Sequence, residues 1–348
     1  MDETTATGEH PPAASLEEMR RVVRELPGPD LESATKAATH ERRLTKPPGA
    51  LGRLEALAEW LATWQGRHPP RVARPRVAVF AGNPGVAARG VSAFPAEVTA
   101  QMVRNFRDGG AAVNQLCKGV DAELRVYEMR LEAPTEDFVE APAMSEAACA
   151  NAIAYGMMAV EEGLDLLALG EMGIANTTSA AAICLALFGG DAEDWTGPGT
   201  GIAGAALARK TEVVAAAVAR HRGAMPDGLA VLCCLGGHEL AAIAGAVIAA
   251  RRARTPVLLD GYAATAAAAV LYAMDKRALD HCQVAHLSAE PAHGRLCRAI
   301  DKRPILDLGM RLGEASGAAL AIGIVRAAAQ CHAGMATFDE AGVSGKTG

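Results

Sequence analysis

From Arg76 onward, short apolar runs alternate with long alanine-rich segments, and this alternation confines the chain to one class of fold. The strand candidates are 76–81 (RVAVFA), 123–129 (ELRVYEM), 164–169 (LDLLAL), 229–235 (LAVLCCL), 255–260 (TPVLLD) and 283–287 (QVAHL). Several are apolar on both faces, so they must be covered on both sides, as in a parallel sheet between helix layers. Strand–helix alternation then implies right-handed crossovers and an open α/β sheet of six parallel strands. The flanks read as helix. Ser15 and Glu18 form a capping box ahead of the stripe Leu16, Met19, Val23 and Leu26, which Pro27-Gly28 ends. Residues 30–44 read as a second, more polar helix. After Pro47-Pro48-Gly49, Leu54, Leu57, Leu61 and Trp64 recur at helical spacing, and helix returns from Gly313 to about Met335.

Composition narrows the function classes. Half of the 348 residues are hydrophobic and the formal net charge is −6, which argues against a binder of duplex DNA or RNA. The N-terminus, MDETTATGEHPPAAS, lacks the basic and apolar regions of a signal peptide. Apolar runs such as Tyr262 to Met274 fall short of the roughly 20 residues of a membrane helix. The eight cysteines include no CxxC pair and read as buried thiols of a reducing cytoplasm. His238, His286 and His293 show no ligand spacing and are joined by no acidic or Cys cluster, so no metal is expected.

The segments at the carboxyl ends of the strand candidates point to a ligand. AGNPG, GEMGIANTTSA, GGHE, DGYAAT and SAEPAH succeed five of the six. In a parallel sheet those ends share one edge, where open α/β sheets bind ligands. Helix N-termini there offer free N–H groups and partial positive charge to an anion. In GEMGIANTTSA, Gly173 lets a ligand approach the backbone, and Thr177, Thr178 and Ser179 can donate hydroxyls. A helix cap at Asn176 explains part of this motif but not Glu171, a carboxylate suited to sugar hydroxyls. GPGTGIAGAALARK (197–210) reads either as a backbone cradle for a phosphate, with Lys210 as counter-charge, or as a flexible loop with a solvated lysine. It is not a P-loop, and no dinucleotide fingerprint or GxSxG elbow occurs elsewhere. In LDLGMRLGEASGAAL (306–320), Glu314 reads either as a general base in a water-poor cleft or as a helix-start carboxylate complementing the dipole.

Taken in order, these motifs resemble one family. KPPGALGRLE (46–55), GVSAFPAEVTAQMVRNF (90–106), LGEMGIANTTSAAA (169–182), GPGTGIA (197–203), LLDGYAATAAA (258–268), HLSAEPAH (286–293), LDLGMRLGEASGAAL (306–320) and MATFDEAGVSG (335–345) are similar to nicotinate-nucleotide–dimethylbenzimidazole phosphoribosyltransferases. The resemblance runs from about 46 to 345. It implies a Rossmann-like sheet with a small helical domain from both chain ends: a tail over 1–14, helices from 15–70 with 313–348, and a substrate-binding α/β domain over 71–312. It implies transfer of phosphoribose from nicotinate mononucleotide to 5,6-dimethylbenzimidazole, with inversion from β to α, no cofactor, and a cytoplasmic homodimer. The family's catalytic base matches Glu314. Its phosphoribosyl and nicotinate region matches Glu171, Gly173, Asn176, Thr177, Lys210, Asp260, Gly261 and Ser288. Phe94, Met102 and Leu312 fall to the pocket for the aromatic base, although Val98, Met102 and Phe106 also share a helical spacing suited to core.

The sequence departs from the family pattern at four places on the expected ligand edge. AGNPG replaces AxDHG, placing Asn83 and Pro84 where an acid and a histidine are usual. Ala175 replaces a glycine, IAGAAL replaces a more acidic stretch, and His238 gives GGHE in place of GGFE. These changes bear on which base is used. Two further readings therefore stand beside the main one: a paralogue acting on another benzimidazole, a purine or a phenol, and a weakened nucleotide-binding homologue.

Overall fold

The computed structural model describes residues 14–344. The tail expected over 1–14 thus lies, apart from Ala14, outside the described residues. Five parallel strands form the sheet: β1 (Pro75–Ala81), β2 (Glu123–Glu128), β3 (Leu166–Met172), β4 (Val257–Leu259) and β5 (Cys282–Val284). Their order is β2-β1-β3-β4-β5. The chain runs outward from β1 to β2 and then returns past β1 to β3, so the direction of winding reverses between β1 and β3.

The expected strand 229–235 is instead a helix, Gly228–Leu235, and the sheet has five strands rather than six. A uniformly apolar run carries no period, so strand and buried helix look alike in it. The residue before it decides. The Asp227 side chain accepts from Ala230 N–H at 2.9 Å and caps the first turn. A Cβ at Gly228 would lie 2.0 Å from Val270 O, so this helix packs backbone to backbone on Tyr262–Met274.

Both faces of the sheet are buried along its central strands, with a period of two. Along β1, Ala78 and Phe80 join one core while Val77, Val79 and Ala81 join the other. The first core is closed by Glu146–Met157, Asn176–Phe188, His238–Arg252 and Tyr262–Met274. The second is closed by Arg53–Gln65, Glu97–Arg107, Ala112–Gly119 and Ser316–Gly334. The N-terminal helices divide between these faces. Leu16–Arg24, with its Ser15 capping box, packs on the first core and donates from Arg20 Nε to Asp227 at 2.6 Å. Leu31–Glu41 packs on Arg53–Gln65, which packs on Ser316–Gly334. All eight cysteines are free; seven are buried and Cys331 is half-buried. Among the described residues, no helix is long and apolar enough to cross a membrane.

The tightest helix crossing depends on two glycines. A Cβ at Gly156 would sit 1.9 Å from Ala242 O, and one at Gly245 would sit 1.9 Å from Ile153 O. No side chain fits at either position unless Glu146–Met157 and His238–Arg252 move apart. Gly245→Ala should therefore lower the unfolding free energy by about 1–3 kcal/mol through overpacking. Gly223→Ala, with nothing within 4 Å of the added Cβ, is the control. Denaturant unfolding reads both; an unchanged midpoint for Gly245→Ala would contradict the crossing described.

Candidate active site

A cavity of about 620 Å³ opens at the carboxyl ends of the strands, beside the β1/β3 reversal. This is the crevice where doubly wound sheets bind ligands. The end of β3 and its loop supply Glu171, Gly173, Asn176 and Thr177. Gly261 follows β4, Ser288 follows β5, and Glu314 precedes Ser316–Gly334. Phe94, Met102 and Leu312 complete the lining with apolar surface; Phe94 and Leu312 are 52% and 54% exposed at the mouth. The helix Glu97–Arg107 serves both core and cavity. Val103 and Phe106 are buried, while Met102 and Val98 pack on the core edge and line the cavity.

Glu314 reaches the cavity through an unusual backbone. Gly313, Glu314 and Ala315 all have positive φ, at 80°, 61° and 59°. For the two non-glycine residues this conformation costs roughly 1–2 kcal/mol each. Hydrogen bonds hold it. Glu314 N–H donates to Glu171 O at 3.1 Å, and Ser316 donates to Gly313 O through N–H at 3.0 Å and Oγ at 2.7 Å. A Cβ at Gly170 would lie 2.2 Å from Ala315 N, so only glycine at this point of β3 admits the turn. Glu314 is 5% exposed, and burial, with Asp260 nearby, pushes its carboxyl up to about 7.

Glu171 lies beside it. Asn176 Nδ2 donates to its Oε2, and a Cβ at Gly313 would lie 2.9 Å from its Oε1. Burial first, and then the charges of Asp260, Glu239 and Glu314, push Glu171 up to about 8 despite the bond from Asn176. Glu239, fully buried behind Gly82, has neither carboxyl oxygen hydrogen-bonded, and burial pushes it up to about 7.

Two expected ligand residues do not line the cavity. Lys210 is 1% exposed and sits behind the wall. Its Nζ donates to Thr177 Oγ1 at 2.8 Å and to Gly197 O at 2.9 Å, and burial pushes it down to about 8. Thr177 accepts from the lysine, so its own hydroxyl proton is free to point into the cavity. Asp260, also 1% exposed, accepts from Ala318 N–H at 2.8 Å. Ser288 is held from beneath. Its N–H donates to His293 Nδ1 at 2.9 Å, so that nitrogen carries no proton and Nε2–H faces Thr265 Oγ1 at 3.1 Å. Burial keeps His293 neutral, down to about 3.

Arg311 and Glu290 also line the cavity, and the sequence reading did not single them out. Arg311 Nη1 donates to Gly199 O at 3.0 Å, and Glu290 accepts from Gly199 N–H at 3.2 Å. The Gly199 N–H is thus already committed to a carboxylate and is not part of a phosphate cradle. Both residues stand inside motifs that were legible, SAEPAH and GMRLGE, one or a few positions from the residues chosen.

Three of the four departures lie away from the cavity wall, contrary to the expectation that they fall on the ligand edge. Asn83 ties down the loop after β2, donating from its side chain to Leu131 O at 3.0 Å and accepting at its carbonyl from Thr135 N–H at 3.1 Å. His238 is buried, and the IAGAAL segment is also absent from the lining. Only Ala175 touches the cavity. It takes φ 77°, the conformation for which glycine is usual.

The comparisons with known proteins agree with this geometry. A phosphoribosyltransferase family model matches residues 26–343. Nicotinate-nucleotide–dimethylbenzimidazole phosphoribosyltransferase of Brucella canis is 57% identical over 329 residues, covering 94% of this chain and 97% of that protein. The enzyme of the same name from Brucella anthropi is 56% identical over 330 residues, covering 95% and 97%. Two solved structures from Thermus thermophilus superpose on the fold. One, titled with that enzyme name, has a TM-score of 0.84 and 41% identity, covering 90% of this chain and 99% of its own. The other, titled CobT, has a TM-score of 0.85 and 42% identity with the same coverage. Matches of this length span the whole sheet and every segment that lines the cavity: the chain belongs to the nicotinate-nucleotide–dimethylbenzimidazole phosphoribosyltransferase family.

Proposed function

We propose that the chain transfers the phosphoribosyl group of nicotinate mononucleotide to 5,6-dimethylbenzimidazole, with Glu314 as the general base. The observation that carries the assignment is Glu314 itself, a buried carboxyl of raised proton affinity in a cavity that also holds Phe94, Met102 and Leu312. Apolar lining suits a flat aromatic acceptor; Glu171, Thr177 and Ser288 suit a sugar phosphate.

The chemistry needs one proton acceptor. The acceptor's free ring nitrogen forms the bond to C1′, and the bond from C1′ to the pyridinium nitrogen breaks. Its electron pair returns to the pyridine ring, cancelling the positive charge, and nicotinate leaves. The acceptor's other ring nitrogen loses its proton to Glu314. Attack opposite the leaving group inverts C1′ from β to α. Glu171 is placed to hold sugar hydroxyls, with Asn176 orienting it. Gly173 and Gly261 leave the backbone accessible. Lys210 acts on the donor from behind the wall, through the Thr177 hydroxyl, and Asp260 acts from beneath Ser316–Gly334. The same reading carries a homodimer, as the resemblance implies, and a cytoplasmic location, which the eight free thiols support.

Glu314→Gln keeps the shape and cannot accept the proton. Turnover should fall by roughly 10²–10⁴ while both substrates still bind. In the unaltered chain, turnover should fall as pH drops through about 7, where Glu314 gains a proton and ceases to be a base. Near-normal turnover of Glu314→Gln in a steady-state assay would remove Glu314 as the base.

Lys210→Met removes the charge and keeps the bulk. The Michaelis constant for nicotinate mononucleotide should rise by about 10- to 150-fold, as for one lost charge-assisted contact of roughly 1.5–3 kcal/mol. The constant for the acceptor should be unchanged. Varying each substrate in turn checks this; a defect confined to the acceptor would contradict the assignment.

A further inference from the structure

Beneath the cavity floor, Asp260 and His286 form a buried pair that does not line the cavity. His286 Nε2 lies 3.5 Å from Asp260 Oδ1, and each residue is 1% exposed. The imidazole is pressed under the first turn of Ser316–Gly334. A Cβ at Gly317 would lie 2.0 Å from its Cδ2, so only glycine leaves room for it. Asp260 Oδ1 accepts from Ala318 N–H at 2.8 Å, which makes Asp260 a cap supplied from another segment for the helix that Glu314 precedes. Asp260 Oδ2 and both ring nitrogens of His286 have no hydrogen-bond partner, so the two side chains face each other as an ion pair rather than a hydrogen bond. A carboxylate and an imidazole so buried, with free valences on both, form a pair whose net charge depends on one proton.

We propose that the Asp260–His286 pair positions and tunes Glu314: Asp260 anchors the helix start behind the base, and His286 sets how much of the Asp260 charge the base feels. The proposal rests on the assignment of Glu314 as the base. Asp260 supplies the neighbouring charge that raises Glu314, and it also lifts His286 above the ordinary imidazole range against the effect of burial. The other groups around the site are Glu171 on β3, Glu239 on the helix His238–Arg252, the neutral His293 with its ring 6.4 Å from His286, and Arg311 on the cavity rim. Asp260 thus favours a proton on His286, and a protonated His286 offsets the Asp260 charge. Removing the cation leaves the anion uncompensated, and the Glu314 proton becomes harder to remove.

The test is the pH dependence of kcat at saturating nicotinate mononucleotide and dimethylbenzimidazole for the full chain and its variants. The acceptor's own ring nitrogen titrates alike in every case, so differences between variants report the protein. His286→Gln should move the acidic limb to higher pH by roughly half to one unit. Asp260→Asn should move it to lower pH and lower the plateau. The double variant should match Asp260→Asn alone, because His286 acts only through Asp260. A merely structural role would lower activity without moving the limb. An unmoved limb in His286→Gln overturns the proposal, and so does an equal shift in both backgrounds. Should Asp260→Asn fail to fold, His286→Gln alone decides. Glu314→Gln separates the two claims. If it keeps turnover, the base assignment fails; if it is inactive and His286→Gln leaves the limb unmoved, only the pair's role fails.

Discussion

The site hangs on one close approach of backbone to backbone, where the turn 313–315 lies against β3 at Gly170. A Cβ at Gly170 would collide with Ala315 N at 2.2 Å. The turn must in addition adopt three successive left-handed residues. That conformation persists because its surroundings over-determine it: β3 accepts the Glu314 N–H, Ser316 closes the turn, and Asp260 holds Ala318. The same joint starts the helix Ser316–Gly334, which covers the second face of the sheet. Core and chemistry therefore share a hinge point. A disturbance of the packing of that helix is felt at Glu314, and strain at Glu314 is held by the core.

Electrostatics follow from this enclosure. Glu171, Glu239, Asp260 and Glu314 gather at one end of the sheet in a chain of net charge −6. Burial pushes three of these carboxyls up to between about 7 and 8, and it pushes Lys210 down to about 8. Burial thus brings Glu171, Glu239, Glu314 and Lys210 toward neutral pH from opposite sides. Clustering of such groups in a cleft is the pattern of acid–base sites. Among the described residues that line the cavity, Arg311 is the one with a permanent positive charge.

Much of this was legible in the residues, and the rest was not for identifiable reasons. The strand over 76–81 was plain because both-face burial shows as a nearly unbroken apolar run, whereas the edge strand over 123–129 is only partly buried and carries charged residues. The run 229–235 looked the same and is a helix; Asp227 as a cap was the available signal. Glu171, Asn176, Thr177, Gly261 and Ser288 could be collected onto one edge because parallel strands force their ends together, whereas Glu314 joined them only through the family resemblance. The orientation of Lys210 could not be read, since nothing in GPGTGIAGAALARK says on which side of the wall its ammonium lies. Nor could the left-handed turn at 313–315, which depends on a contact with Gly170 far away in sequence. The motifs at 83–84 and 238 follow apolar runs and so suggest ligand-edge changes, yet Asn83 is spent on the loop after β2 and His238 belongs to a helix junction.

The proposed catalysis is a single direct displacement at C1′ assisted by one base, although two carboxyls, Glu171 and Glu314, line the same cavity. The anomeric configuration of the product tests this most directly. The chain is incubated with nicotinate mononucleotide and 5,6-dimethylbenzimidazole, and the phosphoribosylated product is examined by NMR. The expected product is the α anomer, formed one for one with nicotinate. A β anomer would contradict direct displacement, because retention requires two displacements and a covalent sugar ester on a carboxylate such as Glu171.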